Sequence, residues 1–170
     1  MAEIMQFELK SLSQSAIVEA LEKAERYRLL HEPSQAESIC LDILAVDPAN
    51  QSAAVMLLLS LTDQFGAEAT PAAAREVLGR IDGDYERAYY SGIIHERSAR
   101  ARMKQGLFGW GPKAYAEFLD AMHCYERAEA LRPPGNDDSI LRWNTCARTL
   151  MRHRELRPQP QERLEPVLDD

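Results

Sequence analysis

The residues whose types invite chemistry fall into four groups, and each stops short of a complete site. The segment HERSA, from His95 to Ala99, opens like a zinc-protease helix, in which histidines four apart share one face and hold a metal. Position 99 is alanine, so the second ligand is missing. His123 and Cys124 are adjacent, and neighbours on a helix diverge by about 100°; no second close pair completes a four-ligand set. GLFGWGPK, from Gly106 to Lys113, has glycines and a lysine but lacks the Gly-Lys-Ser/Thr ending and strand–loop–helix setting of a phosphate loop. Cys40, Cys124 and Cys146 are an odd number without metal spacing and read as reduced core thiols. No nucleophile, base and orienting group occur together in a readable motif. The expectation is a protein that is not an enzyme and takes neither metal nor cofactor.

Cations are the remaining candidates. Arg97, Arg100, Arg102 and Lys104 intersperse one helix, and Arg148, Arg152 and Arg154 follow later. They read as a solvated, ion-paired face, or else as a surface for an acidic protein segment. The formal net charge of −7 argues against nucleic acid as the main ligand, since phosphate binding wants a basic face. MAEIMQFELK lacks the basic-then-apolar pattern of a signal peptide. The most apolar run, Ala53 to Leu61, is too short to cross a bilayer. A cytoplasmic protein without membrane or nucleic-acid contact is therefore expected.

The elements that position these residues are helical. Ala, Leu, Glu and Arg dominate, glycine is sparse away from breaks, and no segment alternates apolar and polar for long. At CYERAEALRPPGNDDSILRWN, from Cys124 to Asn144, a helix stops at Pro133 and Gly135, and Asn136, Asp137 and Asp138 offer oxygens to a new first turn. The spacing Ala36, Cys40, Ile43, Pro48 recurs at Ala121, Tyr125, Ala128, Pro133, each on a helix ending at the proline. With Tyr27 on the helix before the first copy, this resembles the tetratricopeptide repeat, a helix–turn–helix unit of about 34 residues. The two prolines lie 85 residues apart, two such units plus an excess of 17.

The resemblance implies an all-α, tetratricopeptide-like solenoid of about three helix–turn–helix repeats plus a C-terminal end helix, with an extended third hairpin. An N-terminal arm covers residues 1–15, the repeats 16–153, and a proline-interrupted tail 154–170. Repeat one runs from Ala16 to Asn50; repeat two starts at Gln51, with its second helix opening at Pro71 after a Thr70 cap; repeat three starts near Tyr85, with Gly92 at the family's small position. The half repeat from Asp137 to His153 is the solvating end helix, although Trp143 stands where a small residue is usual. The tail regains an amphipathic pattern at Leu164, Val167 and Leu168 and either folds back over the end helix, stays free or docks elsewhere.

In such an array the first helix of each hairpin lines a concave groove. The groove-facing places are Val18, Leu21, Glu25 and Arg28; Ser52, Val55, Leu59, Thr62 and Asp63; Glu86, Tyr89, Ile93, Glu96 and Arg97; and Ile140, Asn144, Ala147 and Arg148. An apolar stripe edged with charge suits an extended or helical peptide. The clamp with which related co-chaperones hold a C-terminal carboxylate is missing, its places carrying Leu21, Glu25 and Met56. The excess residues put Leu107, Phe108 and Trp110 at the tip of the third hairpin, as a second partner surface or an internal packing contact. The function implied is a protein-interaction adaptor holding a partner protein or peptide; a self-assembling structural subunit and an accessory subunit of an enzyme are the alternatives.

Overall fold

Prolines, glycines and short polar side chains set the helix boundaries. The computed structural model describes residues 6–158, which form α1 (Ile17–Leu29), α2 (Pro33–Val46), α3 (Gln51–Thr62), α4 (Pro71–Leu78), α5 (Asp84–Gln105), α6 (Trp110–Leu131) and α7 (Asp138–Arg152). The described residues contain no strand, only an isolated bridge between Phe65 and Ala69. Pro33 and Pro71 open their helices, where a missing N–H costs nothing. Asn50 and Thr70 accept from the backbone N–H of Ala53 and Ala73, satisfying donors that a helix start leaves free. Gly106 ends α5 in the left-handed region, a conformation that costs glycine nothing.

Each helix packs on the next in sequence, and α1 also meets α3, which also meets α5. This arrangement explains α3, whose sequence is apolar almost all round. It is enclosed by α1, α2, α4 and α5, and Ala53, Ala54, Leu57, Leu58 and Leu61 are all buried. At 22 residues each, α5 and α6 are the longest helices, about 33 Å at the usual rise. They pack closely at Gly92, where an added Cβ would lie 2.5 Å from the Tyr125 ring.

Two buried clusters result. One gathers Ala24, Cys40, Ile43, Leu58, Ile81 and Ile94; the other gathers Ile93, Phe118, Tyr125, Cys146 and Leu156. Leu156 is fully buried in a short turn after α7, and the carbonyl of Glu155 lies where a side chain at Gly111 would point. Leu156 thus joins the second cluster three residues past His153, where this turn packs against α6. Of the N-terminal arm, Leu12 packs on the first cluster while Phe7 and Leu9 are exposed. The stripe read at Leu164, Val167 and Leu168 lies outside the described residues.

Candidate functional site

Three charged side chains expected on one face meet there. Arg28 on α1 donates from Nε to Asp63 Oδ2 at 2.8 Å, and Arg97 on α5 donates from Nη1 to Asp63 Oδ1 at 3.0 Å. Asp63 directly follows α3, so this link joins three helices that are not consecutive in sequence. The side chains are 20%, 18% and 31% exposed for Arg28, Asp63 and Arg97. Using both carboxylate oxygens in partial burial makes this link stronger and better oriented than an ordinary surface pair.

Beside it opens a cleft of about 420 Å³ lined by Arg28, Leu29, His31, Pro33, Asp63 and Arg97. His31 holds a φ of 60°, turning the chain sharply between α1 and α2. Leu29, His31 and Pro33 were not expected at the site. The break at His31-Glu32-Pro33 marks a turn in the sequence but not the direction the turn faces.

Other groove positions divide by burial. Val18 is 70% exposed, while Leu21, Val55 and Leu59 are half-buried against the first cluster. Glu25 and Arg148 are exposed, and Ile140 and Asn144 are half-buried. Tyr89 is half-buried in an aromatic group, its ring 5.9 Å from Tyr85, 5.2 Å from Tyr90 and 5.9 Å from Tyr125.

Three positions correct the expectation. Thr62 is 3% exposed, and its hydroxyl donates to the Leu59 carbonyl of its own helix at 2.8 Å. Ile93 is 1% exposed inside the second cluster, because α6 covers that side of α5. Glu96, also 1% exposed, is the acceptor at the centre of a polar network rather than a groove residue. Tyr125 Oη donates to Glu96 Oε2 at 2.7 Å and Arg100 Nε donates to Oε1 at 3.1 Å, while Arg142 Nη1 approaches Oε1 at 3.5 Å. The network fastens α5, α6 and α7 together. Burial first, and then the Glu96 charge, hold the Tyr125 hydroxyl far above its ordinary range. The i,i+4 pair Glu96–Arg100 was legible in sequence, but its burial was not.

Three arginines of the cation run are paired: besides Arg97 and Arg100, Arg102 Nε donates to Glu117 Oε2 at 3.0 Å. At the hairpin tip Leu107 is 67% exposed and Phe108 fully exposed, while Trp110 packs on the second cluster. Arg102, Lys113, Leu107 and Phe108 line a smaller cleft there. Cys40, Cys124 and Cys146 are buried free thiols, with Cys40 and Cys146 pushed up to about 12 by burial. His95 is half-buried, and burial lowers its proton affinity. No group of three or more metal-capable side chains occurs among the described residues, and none of their helices is long and apolar enough to cross a membrane. No protein-family profile, curated protein or solved structure matches the chain.

Proposed function

We propose that this chain is a non-catalytic adaptor of tetratricopeptide-like architecture, holding a partner protein or peptide on the face made by α1, α3, α5 and α7. The observation that carries the reading is the Arg28–Asp63–Arg97 link. It sets the C-terminal ends of α1 and α3 beside the middle of α5, so that three alternate helices lie side by side, as in stacked hairpins. Around it the face mixes half-buried apolar side chains with exposed charge, the composition of a peptide-binding groove. A non-catalytic role fits the thiols: at about 12, Cys40 and Cys146 stay protonated and are poor nucleophiles. The exposed Leu107 and Phe108 form a second contact point at the α5–α6 tip. Its setting is the cytoplasm.

Site-specific photo-crosslinking in the native cell tests this. Crosslinking residues at Val18, Glu25 and Arg148 should capture the same partner, whereas Leu41 and Glu129, exposed on the even helices, should not. Equal capture from both faces, or capture only of the chain itself, would overturn the adaptor reading, the latter in favour of self-assembly.

A further inference from the structure

The geometry points to an acidic peptide segment as the occupant of the cleft between the α1–α2 turn and α5, with a side-chain carboxylate received by Arg28 and Arg97. This deepens the adaptor reading and rests on it. Each arginine commits one nitrogen to Asp63, Arg28 its Nε and Arg97 its Nη1. An arginine carries five N–H donors in a planar fork. The remaining nitrogens, both Nη atoms of Arg28 and Nε and Nη2 of Arg97, have no hydrogen-bond partner among the described residues. Two guanidinium groups against one carboxylate leave a local positive charge on a chain whose net charge is −7.

Asp63 does more than offset charge. By holding both forks it fixes their spacing before a ligand arrives, so less side-chain entropy is lost on binding. The cleft, at about 420 Å³, has room for a carboxylate side chain and its neighbour. Leu29, 76% exposed on the rim, supplies an apolar contact beside the charges. An acidic segment with an interspersed aliphatic residue matches both features.

The test uses the full chain and a fluorescein-labelled, C-terminally amidated peptide, Glu-Leu-Glu-Leu-Glu-Glu, followed by fluorescence anisotropy. The amide restricts recognition to side-chain carboxylates. Binding is expected, with affinity lower by about tenfold or more for the Gln-for-Glu peptide and for Arg28→Gln or Arg97→Gln. Arg28→Lys, which keeps the charge but not the fork, should lie between. Arg132→Gln, remote from the cleft, should bind as the parent does. Circular dichroism checks that each variant keeps its helices.

Absence of binding, equal binding of the Gln peptide, or an equal loss at Arg132→Gln would overturn the inference. Light scattering adds one further outcome: dimers that dissociate in Arg28→Gln would make a second copy the occupant and also overturn it. A partner crosslinked at Val18, Glu25 and Arg148 while the acidic peptide fails to bind would sink this inference alone and leave the adaptor standing. Peptide binding with no partner crosslinked on that face would sink the adaptor.

Discussion

Replacing Gly92 by alanine reverses the usual sign for a glycine inside a helix. In an open helix the change stabilises by about 1 kcal/mol, since alanine loses less backbone freedom on folding. Here the new methyl carbon would stand 2.5 Å from Cε1 and 2.7 Å from Cδ1 of Tyr125. That ring is fully buried and cannot move without disturbing its 2.7 Å hydrogen bond to Glu96. Overpacking of this kind costs about 1–3 kcal/mol. Weakening a hydrogen bond to a charged acceptor costs about 1.5–3 kcal/mol more. After the propensity gain, the expected net loss is about 1.5–5 kcal/mol. Urea titration followed by tryptophan fluorescence is the assay, because Trp110 and Trp143 both pack on the cluster containing Tyr125. Combining Gly92→Ala with Tyr125→Leu should cost less than the sum of the two single changes, since removing the ring makes room for the methyl. A Gly92→Ala protein more stable than its parent by about 1 kcal/mol would refute the reasoning.

Three further outcomes are expected. Tyr125→Phe should cost about 1.5–3 kcal/mol by removing a donor to the buried Glu96 carboxylate, measured by urea titration. Leu156→Ala should cost about 2–5 kcal/mol despite lying beyond the last long helix, and a midpoint within error of the parent would show that the turn is not part of the core. Stability should fall as pH rises from about 9: burial raises Cys40 and Cys146 from 9.0 to about 12, and Tyr90 from 10.0 to about 12. The unfolded chain releases these protons first, so each group withdraws up to about 1.4 kcal/mol per pH unit between its two values. Urea midpoints at pH 8, 9, 10 and 11 under reducing conditions check the sign, and a flat profile would refute it.

The helices were legible because their boundaries are local chemistry. Pro71 begins its helix and Thr70 caps it as expected, and the break after Leu131 falls where the prolines put it. α6 starts two residues before Pro112, since a helix's first turn needs no N–H from a proline. Arg28, Asp63 and Arg97, expected on one face, meet in a shared ion-paired link. Thr62, Ile93 and Glu96, expected beside them, are buried. Counting by 100° finds the residues that share a stripe, but α5 is covered along its length by the later helix α6 and packs on the earlier α3 and α4 as well. Which part of its surface they take depends on contacts far along the chain. Leu156 was missed for a related reason: one apolar residue between arginines has no periodicity to reveal it.

The pairing of Ile93 and Ile94 on α5 has a consequence for how the molecule comes apart. The two side chains belong to different cores, and Leu59 and Tyr90 are the half-buried apolar side chains common to both. One helix thus serves as a party wall between two blocks, each containing contacts the other does not need. Such a chain yields in stages under force or denaturant rather than all at once. Its first block is expected to loosen while α5, α6 and α7, pinned on Glu96, still hold. Both tryptophans sit on the second block. Their fluorescence should then stay native while circular dichroism already records lost helix, and the gap between the two curves would measure how weakly the halves are coupled.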